Sequence, residues 1–141
     1  MDNEIQPLAV AKVFEHVMNK EKFDMVILGK QAIDDDCVQT GQILGSRMGI
    51  PTASFSSEIV FSDDKKTAQV LREVDFGLQK VQVDLPAVFT CDLRLNTPRF
   101  ANVKSILSAK KKRVDTINLD ELGLDVLPRV KVESVSPPTE R

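Results

Sequence analysis

The run Phe23-Asp24-Met25-Val26-Ile27-Leu28-Gly29 decides the fold. Its apolar residues follow one another without alternation, as in a parallel strand covered on both faces, and Gly29 closes it. Upstream, Leu8, Ala11, Phe14, Val17 and Met18 recur at steps of three or four. Pro7 suits a first helical turn, whose N–H needs no partner, so a helix is expected from Gln6 until the polar residues 19–22 end it. Downstream, a second helix is expected to start among Asp34, Asp35 and Asp36, any of which can cap it, and to stop at Gly49 ahead of Pro51. Helix, buried strand, polar loop and helix in that order make half of an α/β layered sheet. Gly41 and Gly45 lie inside the second helix, each costing about 1 kcal/mol relative to Ala, which implies close approach by a ligand or a neighbouring backbone.

After Pro51 the period changes to two. Phe55, Ser57, Ile59 and Phe61 alternate with polar partners, residues 62–66 form a turn, and residues 70–74 and 78–85 are two further strands joined at Asp75, Phe76 and Gly77. Three successive antiparallel strands imply an excursion from the main sheet. Residues 87–91 are a further buried strand, and residues 92–112 a long loop running into a short helix, a length that in compact domains is usually functional or disordered. A last strand is expected at residues 114–119, and Val130, Val132 and Val135 alternate beyond it.

The chain has 141 residues, the size of one ordinary domain. With 42% hydrophobic and 28% charged residues it is globular in composition. Lacking Trp and Tyr, it has no aromatic platform for base stacking beyond its seven Phe. No strictly apolar run is longer than residues 25–28, far short of the roughly 20 that cross a bilayer, so no membrane insertion is expected. Cys37 and Cys91 make neither a disulfide framework nor a metal knuckle and fit a reducing compartment. The acidic opening at residues 1–4 lacks the basic flank of a targeting segment.

Catalytic chemistry finds little support. The only histidine, His16, sits beside the apolar face of the first helix with no Ser, Cys or acid forming a recognisable motif, so no catalytic residue is assigned. Asp34, Asp35 and Asp36 point in different directions on a turn and lack the spacing of a calcium loop, so no metal is expected. The stretch Gly29-Lys30-Gln31-Ala32-Ile33-Asp34-Asp35-Asp36-Cys37-Val38-Gln39-Thr40-Gly41-Gln42 is more informative, because it joins the carboxyl end of a buried strand to the amino end of a helix, where unpaired N–H groups attract anions. Phosphate binding there competes with a purely capping role for the three acids, and no GxGxxG or Walker pattern decides between them. Residues 99–113 pose a similar choice. Val103, Ile106 and Leu107 flanked by Lys104, Lys110, Lys111, Lys112 and Arg113 fit either a solvated amphipathic helix or a docking tip for an acidic partner. Nucleic acid fits poorly, given the absence of interleaved aromatics and a pI near 5.4.

The block from Val26 to Gln42, with Leu85-Pro86-Ala87-Val88 and Asp92-Leu93-Arg94-Leu95-Asn96-Thr97-Pro98-Arg99-Phe100-Ala101, closely resembles the beta subunit of electron-transfer flavoprotein over almost the whole chain. The resemblance implies a Rossmann-like, adenine-nucleotide-binding three-layer sheet, incomplete here, with residues 1–141 a partial domain and residues 92–113 a partner-recognition loop within it. It implies a non-catalytic subunit that binds a structural AMP through Gln31 to Gln42 and pairs with an alpha subunit holding FAD. The pair would take electrons from acyl-CoA and other flavin dehydrogenases, in fatty acid beta-oxidation, and deliver them to electron-transfer flavoprotein quinone oxidoreductase. The setting would be the mitochondrial matrix, or the cytoplasm of a bacterium.

By the same resemblance Val103 stands at the hydrophobic anchor of the docking loop, where a leucine is usual. Ile106, Leu107, Lys110 and Lys111 share that surface, and Glu73 matches an acid that pairs with an arginine of the flavin domain. Ser108 and Lys111 occupy the positions of two lysines methylated in animal members. Val38 replaces a usual Asn in the AMP loop, and Phe76 a usual glycine. The family pattern also begins before Met1 and continues past Arg141, so the strand at residues 25–28 is expected to show unpaired backbone and apolar surface, and AMP binding by this chain alone to be weak. The alternative function from another class is a stand-alone adenine-nucleotide sensor of the universal-stress-protein type, which shares the layered fold but would homodimerise and has no use for residues 92–113.

Overall fold

A computed structural model describes residues 5–138; the acidic opening, residues 1–4, lies outside the described residues. Helix α1 (Pro7–Glu21) begins with Pro in its first turn and ends at Lys22 in the left-handed conformation, whose amide donates to Met18. Strand β1 (Met25–Gly29) follows, then α2 (Thr40–Met48), β2 (Thr52–Phe61), β3 (Thr67–Val74), β4 (Gly77–Asp84), β5 (Ala87–Cys91) and α3 (Val103–Ala109), with a 3-10 turn at Leu119–Leu122. The five strands form one mixed sheet in the order β1-β5-β2-β3-β4. β5 is parallel to both β1 and β2, whereas β2, β3 and β4 run antiparallel, so the expected excursion is present.

Alternation along β5 sorts the core into two faces. Val88 points to the helices, where it packs with Ala11 of α1 and Leu44 of α2, and Phe14, Val26, Leu28 and Ile43 close around them. Ala87 and Phe89 point the other way, to Ala53, Ala68 and Val70. No helix covers that second face among the described residues; the antiparallel arm does. A straight β2 would carry Phe61 about 26 Å beyond Ala53 at roughly 3.3 Å per residue. Ala53 pairs with Phe89, yet the rings of Phe61 and Phe89 meet edge to face with centroids 6.1 Å apart, so the strand must bend back over the sheet. The bend sits at a bulge in which Phe55 takes a positive φ of 57°, its amide donating to Thr90 Oγ1 at 3.1 Å.

Several expectations are corrected. Helix α2 starts six residues after Asp34, at Thr40, because Asp35 and Asp36 spend their carboxylates inside their own turn. Strand β1 is an edge, paired only with β5 among the described residues, and Ile27 is 57% exposed, so the run lacks the cover its composition suits and shows the unpaired backbone and apolar surface expected of the partial domain. The bulge breaks the simple alternation of β2, burying Ser56. Residues 114–119 and 130–135 form no strand. Gln6 instead ties the tail to α1: its side chain accepts from the amides of Arg129 and Val130 and donates to the Val130 carbonyl.

Candidate functional site

The turn between β1 and α2 encloses a cleft of about 90 Å³ lined by Gly29, Lys30, Gln31, Ala32, Asp35, Cys37, Val38, Gln39, Thr40 and Gly41, with Pro7 across it. Of the remaining predicted residues, Ile33 is fully exposed and Asp34, Asp36 and Gln42 do not line the cleft. The acids are partly disarmed by local bonds. Asp35 accepts from the Cys37 amide at 3.0 Å, Asp36 accepts from the Gln31 side chain at 2.7 Å, and the Asp36 amide donates to the Ala32 carbonyl. Asp36 and Val38 both take positive φ, 52° and 54°, folding the turn tightly.

Helix α2 carries no side-chain cap at Gln39. The first amides of a helix have no intrahelical acceptor and carry the positive end of its dipole, so Thr40 and Gly41 offer the cleft the N–H groups an anion needs. Gly41 is placed by packing: a Cβ there would fall 2.5 Å from Thr90 Cγ2 and 3.4 Å from Leu28 Cδ1. A Cβ on Gly45 would strike the Thr52 side chain. Neighbouring strands, not a ligand, therefore account for both helical glycines. Cys37 is a poor nucleophile: desolvation, then the charge and hydrogen bond of Asp35 and the charges of Asp34 and Asp36, hold its thiol above its ordinary value.

Sequence patterning missed what lies behind Lys30. Its amide donates to the Cys91 carbonyl at 3.1 Å, and its ammonium donates to Asp92 Oδ2 at 2.7 Å. The Asp92 side chain is only 1% exposed. It also accepts from the Arg94 amide at 3.0 Å and lies 3.7 Å from Arg94 Nε, while Arg94 Nη1 reaches Glu73 Oε1 at 2.9 Å. Glu73 thus faces a cation of its own chain, at the rim of an open hollow lined by Phe55, Arg72, Val74 and Asp75. The sequence signal was present in Asp92 and Arg94, which follow the end of a buried strand, but Lys30 and Glu73, which they hold, are distant in sequence.

Helix α3 is set apart from this network. Asn102 caps it, accepting from the Ser105 amide at 2.9 Å, and none of its residues is buried. Val103, Ile106 and Leu107 are 72%, 45% and 54% exposed. Val103, Lys104, Leu107, Ser108 and Lys111 border a shallow hollow, whereas Ile106 and Lys110 do not line it. No helix among the described residues is long and apolar enough to cross a membrane.

The family pattern described as the electron transfer flavoprotein domain matches residues 2–122. Electron transfer flavoprotein subunit beta of Bos taurus is 45% identical over 139 residues, 99% of this chain and 54% of the relative. The Homo sapiens protein of the same name is 46% identical over 96% of this chain and 52% of its own length. The mitochondrial subunit beta of Arabidopsis thaliana is 44% identical over 96% and 54%. The chain spans about half the length of these curated relatives. On these matches the chain belongs to the electron transfer flavoprotein domain family, and its relatives there are beta subunits.

Proposed function

We propose that the chain serves as a non-catalytic, beta-subunit-like component of an electron-transfer flavoprotein, holding a structural AMP at the β1–α2 turn and pairing with an alpha subunit that carries FAD. The observation that carries this reading is the combination, in one cleft, of an uncapped helix amino end, Lys30 and an acid, Asp35, whose carboxylate accepts from the Cys37 amide of its own turn. The cleft offers a phosphoryl group the helix amino end, and AMP binding by this chain alone is expected to be weak. When bound, AMP supplies no redox chemistry and acts as scaffolding. The exposed Val103, Ile106 and Leu107, with Lys110 and Lys111 beyond them on the same helix end, are the surface for acyl-CoA and other flavin dehydrogenases, with electrons passing on to electron-transfer flavoprotein quinone oxidoreductase. Glu73 contacts the flavin domain. The plant relative's mitochondrial name supports a mitochondrial matrix setting.

Calorimetric titration with AMP, together with coexpression of an alpha subunit, tests the reading. The expected results are weak, saturable AMP binding and copurification with the alpha subunit. A homodimer that binds ATP and ignores the alpha subunit would replace it with a nucleotide sensor.

A further inference from the structure

Four charged side chains link the cleft to the far end of β3. Lys30 lines the cleft; Asp92, buried at the end of β5, holds Lys30 at 2.7 Å; Arg94 stands beside Asp92 at 3.7 Å and holds Glu73 at 2.9 Å. We propose that these residues form an ion-pair relay in which Asp92 is the positioning residue, and an anion entering the cleft draws Lys30 away, transfers Arg94 to Asp92 and releases the Glu73 carboxylate. The relay rests on the phosphate reading of the cleft given above.

A buried carboxylate cannot be left without a cation at acceptable cost; Asp92 is 1% exposed at its side chain, whereas the Glu73 side chain is 21% exposed, although the Oε1 facing Arg94 is shielded and accepts no hydrogen bond, so Asp92 holds the stronger claim on the guanidinium. Lys30 is 30% exposed at its side chain and sits on a flexible stem, so a phosphoryl group in the cleft competes for its ammonium directly. Once Lys30 turns to the anion, Asp92 has Arg94 as its remaining neighbour. The guanidinium is rigid and planar. Its Nε must close from 3.7 Å to hydrogen-bonding distance of Asp92, and that movement pulls Nη1 from Glu73. The Arg94 amide is already anchored on Asp92 Oδ1, which keeps the side chain within reach.

The test uses AMP and inorganic phosphate as probes on the full chain. Arg94→Gln removes the substitute cation and should weaken AMP binding about fivefold, while Glu73→Gln removes the competitor and should tighten it about fivefold. Simple through-space attraction gives the same signs, so both substitutions are repeated in a Lys30→Met background, where a relay predicts that neither matters. Effects that persist in that background, or that are absent from the wild type, overturn the relay. A probe-free arm separates it from the nucleotide reading. In Lys30→Met, the Nε–H of Arg94 should become protected from solvent exchange as it bonds to Asp92; an unchanged Nε–H resonance overturns the relay. If neither probe binds but this protection appears, the phosphate reading fails and the ion-pair exchange stands.

Discussion

An ideal Cβ on Gly41 would lie 2.5 Å from Thr90 Cγ2, closer than packed carbons approach, so the start of α2 rests directly on β5 only because residue 41 has no side chain. Thr90 in turn accepts from the Phe55 amide, pinning the bend in β2. One side chain therefore sets both the height of the helix above the sheet and the fold of the antiparallel arm.

Gly41→Ala should accordingly destabilise the chain. Helix propensity favours Ala by about 1 kcal/mol, but overpacking of a filled interface costs about 1–3 kcal/mol, and Thr90 is too buried to yield. Urea denaturation should show net loss, and Thr90→Ser, which removes Cγ2 and keeps the hydroxyl for Phe55, should restore much of it. Equal stability of Gly41→Ala and wild type would mean that α2 is free to lift from the sheet.

Much of this arrangement was legible in the sequence because it is local. Pro7 and the three-to-four spacing give α1, Gly49 stops α2 in the left-handed conformation, and Asp75 with Phe76 make the two-residue turn between β3 and β4. The start of α2 was misread because three consecutive acids look like caps, while Asp35 and Asp36 bond within their own turn. The positive φ of Phe55 had no signal, since its cause is Thr90, thirty-five residues away. Val130 and Val132 alternate like a strand, though Val135 falls out of step, and Gln6 takes the backbone bonds at residues 129 and 130. At the candidate site the turn was readable; the Lys30–Asp92 pair, which joins residues 62 apart, was not.

Phe89 is completely buried where β5 meets the folded-back arm, and it stacks edge to face on Phe61. Phe89→Ala should cost about 3–5 kcal/mol, the range for truncating a buried aromatic. Phe76→Ser, at a fully exposed hairpin tip, should stay within about 0.5 kcal/mol of wild type. Thermal melts of the two variants check the contrast, and a destabilised Phe76→Ser would place that ring against the body of the protein.

The acid limb of stability should depend on Asp92. The hydrogen bond from Lys30, then that from the Arg94 amide, hold its carboxyl below the ordinary range against the opposing effect of burial. A carboxyl whose folded pKa is depressed contributes stability above its unfolded value, about 3.9, and loses it as pH falls through the folded value. Asp92→Asn should therefore be less stable near neutrality and show a shallower fall in stability below about pH 4. Asp64, held low by the Ser62 hydroxyl and the Lys66 amide, acts in the same direction and remains in the variant. Parallel pH profiles for wild type and Asp92→Asn would show that Asp92 is not linked to folding.

The surface of α3 should separate folding from docking. Because none of its residues is buried, Val103→Ala and Ile106→Asp should alter unfolding free energy by no more than about 0.5 kcal/mol. If the helix is the dehydrogenase anchor, the same changes should weaken partner binding, Ile106→Asp the more, since it places a charge in an apolar contact. Valine at 103 buries less area than a longer side chain would, at roughly 25 cal/mol per Å², so Val103→Leu should tighten the complex. On the same reading, reversing the charges of Lys110, Lys111, Lys112 and Arg113, all of them exposed, should act mainly on the association rate and its salt dependence, as rim charges do. Stopped-flow association with an acyl-CoA dehydrogenase, across a series of ionic strengths and in a complex assembled with an alpha subunit, resolves the two effects. Association rates unchanged by the charge reversal, together with affinities unchanged at 103 and 106, would remove α3 from the docking surface and leave it a solvated helix.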